Sequence, residues 1–213
     1  MPTLLDARTL AMAGRNEEAV QLIRQLAGAG NRDAIFMLAE MTWRGGLVPQ
    51  DSYAARRLYE AAKGHARADI YATNLLASGI AGPRNWQEAL RRLKKEAARD
   101  TARRRAFDLL KAMDLDEAGN PKSLPAATNL SVQPSVKVFP KLFSPDECRY
   151  LIDIAGPGYQ PSMVFNDDEQ LVQDPIRTSD GSAIHWLIED PVVHAINRRI
   201  AAATGFRKSC RGR

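Results

Sequence analysis

No stretch of the chain approaches the roughly 20 consecutive apolar residues that a membrane-spanning helix needs, so no membrane partner is expected. The N-terminus carries Asp6 and Arg8 and lacks the basic-then-apolar pattern of a secretory leader, which makes the cytoplasm the expected compartment. Cysteine is nearly absent. Cys148 and Cys210 cannot build a disulfide framework, and neither has a CxxC partner or metal-ligand spacing. Cys148 shares a helical face with Leu151, Ile152 and Ala155 and is expected as a buried small hydrophobe. Cys210 lies in a basic tail and reads as an exposed free thiol. Proline is scarce within the candidate helices of the first half.

What is present suits a core. The 213 residues suffice for one large domain or two small ones, with 45% apolar and 26% charged residues. The net charge of +5 is uneven, with ten Lys/Arg against four Asp/Glu from Arg84 to Lys111. Such a run can be a nucleic-acid footprint. Here it coincides with a helical pattern, without interleaved aromatics or a nucleic-acid motif. A solvated helix face is the simpler reading, and no nucleic-acid partner is expected.

Residues 1–117 read as helices throughout, because alanine is plentiful and apolar residues recur at intervals of three and four. Helices are expected over 3–13 and 17–26, the second burying Ala19, Leu22, Ile23 and Leu26. A third starts near Arg32 and carries Ile35, Leu38, Ala39 and Met41, ending at Gly45-Gly46. Asp51-Ser52 caps a fourth, with Ala55, Leu58, Tyr59 and Ala62 inward. A last helix over 100–117 turns Ala102, Ala106, Leu109, Leu110 and Met113 inward.

The helical half repeats itself. Ala34 recurs as Ala68, Gly45 as Gly79, Asp51 as Asn85, Ala55 as Ala89 and Tyr59 as Leu93, each pair 34 residues apart. Helix pairs of this length stack into a solenoid, since one pair cannot bury its own apolar face. The best unit carries Ala34, Leu38-Ala39, Met41, Gly45-Gly46-Leu47-Val48, Asp51, Ala55, Leu58-Tyr59, Ala61-Ala62 and Gly64-His65. It resembles the Sel-one-like repeats of the tetratricopeptide class. The resemblance covers roughly residues 1–99 and implies a scaffold with a protein or peptide partner docked on the repeats. His65 falls on the closing Gly-His of the repeat, so its role is read as structural.

Residues 118–133 break the periodicity and are expected as a linker. Residues 136–139 suit a strand. Ser144-Pro145-Asp146-Glu147 is a helix start, with a Ser cap, Pro in the first turn and acids behind it. That helix is expected to end at Gly156-Pro157-Gly158, followed by a strand over 161–166. Asp167-Asp168-Glu169 invites a metal reading, but no histidine is suitably spaced, so a solvated turn is expected. Asp190 should cap a final helix over 191–203 whose inward face is Val192, Val193, Ile196, Ile200 and Ala203.

In order and spacing, Phe143-Ser144-Pro145-Asp146-Glu147-Cys148, Leu151-Ile152, Pro161-Ser162, Arg177-Thr178-Ser179 and Asp190 with Val193, Ile196, Ile200 and Thr204-Gly205 resemble the opening of the catalytic domain of prolyl 4-hydroxylase-like dioxygenases. The resemblance implies a double-stranded β-helix, or jelly-roll, of which residues 134–205 would supply the flanking helices and first strands. The implied activity is hydroxylation of a peptidyl proline, with iron(II), 2-oxoglutarate and ascorbate as the family's cofactors. It places Arg177, Thr178 and Ser179 on the substrate side. Iron in this family is held by His-x-Asp and a distal His. Two residues after His185 stands Leu187, and two after His194 stands Ile196, so neither makes the motif. Both histidines are read as polar-surface or interface residues. The basic ending, residues 206–213, reads as a truncated or frame-shifted continuation.

The fold class expected is therefore mainly α, a helical-repeat solenoid over 1–117 followed by an incomplete α+β segment. The function expected is that of a dioxygenase fragment with no catalytic or metal residues of its own and no bound cofactor. The other reading is a non-catalytic interaction scaffold.

Overall fold

A computed structural model describes residues 2–166, 168–173, 176 and 178–205. The chain is mainly helical, with a few short antiparallel strands. Seven helices come first: α1 (Leu4–Met12), α2 (Asn16–Gly28), α3 (Arg32–Arg44), α4 (Ser52–Ala61), α5 (Ala66–Ser78), α6 (Trp86–Glu96) and α7 (Thr101–Ala112). Each packs against the next in sequence.

The 34-residue spacing reappears as matched structural roles. Asn31 and His65 cap α3 and α5 by accepting from the amides of Ala34 and Ala68. Asp51 and Asn85 cap α4 and α6 in the same manner. Gly45 and Gly79 end α3 and α5 at φ +78° and +77°, where a side chain would be strained. At both, a Cβ would lie 3.0 Å from the Cβ of the residue five positions on, Gln50 or Arg84. Those two side chains in turn donate to the Trp43 and Ala77 carbonyls. Ala34, Ala68, Ala55, Ala89, Tyr59 and Leu93 are all fully buried.

The inward faces depart from expectation at several points. Val20 is buried on α2, whereas Leu22 and Leu26 are half-buried. On α7, Ala102 is exposed and Arg103 is buried in its stead. Arg103 is tolerated there because Glu96 and Asn74 accept its hydrogen bonds.

After α7, Asp116 accepts from the amides of Ala118 and Asn120, forming a side-chain-closed turn. This turn lays Gly119, at φ +73°, on the Trp86 ring. Within the stretch expected as a linker, Thr128–Ser131 forms strand β1, which pairs antiparallel with β2 (Val136–Val138). Next come α8 (Pro145–Ala155) and a 3-10 turn at Gly156–Gly158. The remaining strands are β3 (Gln160–Pro161), β4 (Met163–Phe165), β5 (Leu171–Gln173) and β6 (Asp180–Gly181), and the last helix is α9 (Pro191–Thr204). β3 pairs with β6 and β4 with β5, so the described strands form three separate two-stranded sheets. This region leaves apolar residues outward, Phe165 on β4, Leu171 on β5 and Val132 in the β1–β2 turn.

The two halves share a core. α9 packs against α5 and α7. Val192, Val193, Ala195 and Ile196 lie in one buried cluster with Leu76, Ala89, Leu93, Ala106, Leu110 and Tyr150. Every residue from Pro191 to Ile196 is buried, so the first turns of α9 are enclosed all round. Ile200, expected inward, is exposed because the helix emerges from this seat by its third turn.

Candidate functional site

The sequence singled out Arg177, Thr178 and Ser179. Arg177 lies outside the described residues. Thr178 and Ser179 are exposed and lead directly into β6. The fold brings them beside the other short motif of the resemblance. The Ser162 amide donates to the Ser179 carbonyl at 2.9 Å. The Ser179 hydroxyl lies 3.2 Å from that of Ser162, and Pro161 pairs with Asp180. Gly158 lies close by, where a Cβ would stand 2.6 Å from the Ser182 hydroxyl and would turn that side chain aside. The result is a small polar platform at the start of the C-terminal half.

α8 precedes this platform in the chain, joined to it through the Gly156–Gly158 turn. Ser144 and Glu147 form a full capping box, with Pro145 in the first turn. Cys148, expected buried, is exposed. The buried positions of α8 are Glu147 and Tyr150, one residue before and two after it. Polar partners cause the difference. Arg199 of α9 donates to Glu147 at 2.7 Å and to the Leu142 carbonyl at 3.0 Å. The Tyr150 hydroxyl donates to the Asp190 carboxylate. Burial raises the carboxyl pKa of Asp190, opposed by the bonds from Tyr150 and the Val193 amide. Burial also raises the Tyr150 hydroxyl, aided by the neighbouring Asp190 charge.

A second polar group joins the halves directly. Arg103 Nε donates to Glu96 at 2.6 Å, and its Nη1 donates to Asn74 Oδ1 at 3.1 Å. Thr73 donates to the other oxygen of Glu96. Asn74 Nδ2 then donates to the Leu187 carbonyl at 2.8 Å, across 113 residues of sequence. The sequence offered no sign of this relay beyond a lone Asn on an otherwise apolar helix face.

The two histidines take different places. His185 is exposed and meets the edge of Trp43, with ring centres 6.2 Å apart. His194 is buried beside Trp86, its Nδ1 3.5 Å from Glu189, too long for a firm hydrogen bond. Burial lowers its pKa, and Arg84 and Arg198 lower it further against the pull of Glu189. His65 caps α5 and stacks on Phe36 at 4.1 Å between ring centres. Asp168 and Glu169 are exposed in the β4–β5 turn, whose amides bond to Asn166, while Asp167 lies outside the described residues. Cys210 and the basic ending lie outside them too. Among the described residues no group of three or more His, Cys, Asp or Glu side chains is gathered that could hold a metal ion. No described helix is long and apolar enough to cross a membrane.

The basic run falls on α6 and α7, where acids neutralise much of it. Arg91 and Arg92 pair with Glu88, Arg92 also with Glu60, Arg103 with Glu96 and Arg105 with Asp153. Glu88, between two guanidinium donors, is held down at about 2. A mixed-charge groove of about 400 Å³ lies between α4, α5 and α6, floored by Tyr59, Ala72 and Thr73.

Comparison with known proteins returned no matching family model, no matching curated protein and no matching solved structure.

Proposed function

We propose that residues 134–205 are the opening part of a 2-oxoglutarate- and iron(II)-dependent dioxygenase of the prolyl 4-hydroxylase type, preceded by tetratricopeptide-class repeats over 1–117. The observation that carries this reading is the meeting of its two short motifs. Pro161-Ser162 and Thr178-Ser179, 17 residues apart, are hydrogen-bonded side by side. The capped helix α8 and the Asp190-capped α9 flank them in the expected order. In this reading Thr178 and Ser179, with Arg177, form the substrate-side lip for a peptidyl proline.

The residues present do not fit the family's iron. His194 is enclosed between Trp86 and Glu189, His185 lies at the Trp43 edge, and Leu187 and Ile196 stand where a ligating carboxylate would be required. No chemical step is therefore assigned to this chain, and its part is to shape and hold the lip. Titrating the purified chain with iron(II) and 2-oxoglutarate tests this. The expected result is neither stoichiometric iron binding nor succinate release. Iron-dependent succinate release by this polypeptide would contradict it.

A second reading, a non-catalytic interaction scaffold, is favoured by the matched structural roles at 34-residue spacing. Repeats of this kind present a face for a partner peptide. It predicts that the chain binds a peptide partner whether or not any oxygenase chemistry accompanies it. Retention of that binding when Thr178 and Ser179 are both changed to Ala would separate this reading from the first.

A further inference from the structure

We infer that the helical module contains a peptide-reading seat, built around Asn74, and that the chain's own segment 184–189 occupies it. The seat has two parts. The Leu187 side chain is buried in a cluster with Ala39, Trp43, Tyr59, Ala72 and Leu75, drawn from α3, α4 and α5. The Leu187 carbonyl accepts from Asn74 Nδ2 at 2.8 Å. One residue is thus recognised through both its apolar side chain and its backbone.

The donor is oriented before any peptide arrives. Arg103 has only donors, so the Asn74 oxygen must face it and the amide nitrogen must face the seat. Arg103 is itself fixed by Glu96, which also accepts from Thr73. Asn74, Thr73 and Arg103 are all buried. All four residues of this relay belong to the helical module, and only the carbonyl comes from the C-terminal half. A buried, oriented amide beside an apolar pocket is the chemistry that reads a peptide through one side chain and one carbonyl, here presented on a turn in which the Ile188 and Glu189 amides donate to the His185 carbonyl.

Trp186 and Ile188, on either side of Leu187, are each about half exposed, at 52% and 47%. Leu187 and its carbonyl are therefore the segment's chief contact with the seat, with His185 contributing an edge contact to Trp43. The ends of the segment are held elsewhere, Ile184 against the neighbouring apolar cluster and buried Glu189 by Asn197 at 2.9 Å. A tethered segment has an effective concentration in the millimolar range, so it excludes an untethered copy of itself. A foreign peptide that presents a leucine-like side chain with a free carbonyl can enter only when 184–189 leaves. The seat is accordingly a self-occupied docking site. This holds under either functional reading, since it concerns residues of the helical module that neither reading assigns.

The test uses the full chain and a fluorescent peptide copy of residues 182–190. Wild type should bind it poorly. Leu187→Asp, which expels the tethered segment, should bind it more tightly by about tenfold or more. The same peptide with Asp in the Leu187 place should not bind, and adding Asn74→Leu to the Leu187→Asp chain should abolish the gain. Equal binding by wild type and Leu187→Asp, or no binding by a Leu187→Asp chain with intact helical circular dichroism, overturns the proposal. If Leu187→Asp fails to fold, Leu187→Ala decides. Amide exchange at residues 187–193 should then accelerate while α3 to α5 stay protected. Unchanged exchange at 187–193, or loss of protection in α3 to α5 alike, counts against the seat.

Discussion

Replacing Leu187 by Ala tests how firmly the C-terminal half is joined to the helices. Leu187 is 5% exposed and lies in an apolar cluster contributed by three helices. Truncation removes the transfer energy of the lost methyl and methylene groups and leaves a cavity between elements that cannot easily collapse. Leucine-to-alanine changes at such sites cost about 2–5 kcal/mol. At this chain length each kcal/mol lowers Tm by about 2–4 °C, so a loss near 3 kcal/mol is a drop of roughly 6–12 °C. Ile188→Ala is the internal control, one residue on and half exposed at 47%. Its loss should be about 1 kcal/mol, since only about half of its area leaves water on folding. Urea unfolding followed by circular dichroism and tryptophan fluorescence gives both values. The m-value should stay constant if the two halves unfold together. A Leu187→Ala loss no larger than that of Ile188→Ala would refute the claim that this residue joins the halves.

Three further outcomes follow from local geometry. Gly119→Ala places a Cβ 2.3 Å from the Trp86 ring at φ +73°, so it should cost about 2 kcal/mol or more, read by thermal melting, whereas Gly28→Ala, in open space on α2, should stabilise by up to about 1 kcal/mol. Cys148 should react with a thiol reagent in the native state at a rate unchanged by mild urea, because it is exposed; protection from the reagent would restore the buried reading. His194 is buried beside Trp86 and Glu189, with Arg84 and Arg198 acting against its charge, and its pKa is lowered chiefly by burial. The unfolded imidazole titrates near about 6.5 and takes up a proton that the folded one refuses. Stability should be full above that pH and should fall as pH drops toward the folded pKa. Asp190, whose carboxyl is raised, contributes a slope of opposite sign, so the readout is the difference between wild type and His194→Gln. Identical pH slopes for the two would count against the burial of His194.

The helical half was largely legible because its signals are local. Asp51 as a cap, Gly45 and Gly79 as terminators and Ala34, Ala55 and Ala89 as close-packing positions each act within one turn of their own helix. The 34-residue spacing then links those signals into a series. The misread positions depend on partners distant in sequence. Arg103 is buried with Glu96 and Asn74 accepting from its Nε and Nη1, and no periodicity announces such a pair. Counting apolar neighbours on α8 points Cys148 inward, yet it is exposed. The real inward face is fixed by Tyr150 reaching Asp190 and Glu147 receiving Arg199, across 40 and 52 residues. Ile200 looked like part of an apolar stripe, yet α9 is buried all round at its start and exposed beyond it. Burial there varies along the helix axis, which a rotational pattern does not encode. At the candidate site, the motif residues were visible as short words, but their meeting across β3 and β6 was not.

The most direct test of the proposed function is to measure binding of a proline-containing peptide to the wild-type chain and to a variant carrying Thr178→Ala and Ser179→Ala. The dioxygenase reading, in which these residues form the substrate-side lip beside Pro161-Ser162, predicts binding that the double variant loses. Equal binding by the two chains would contradict that reading and favour the helical scaffold.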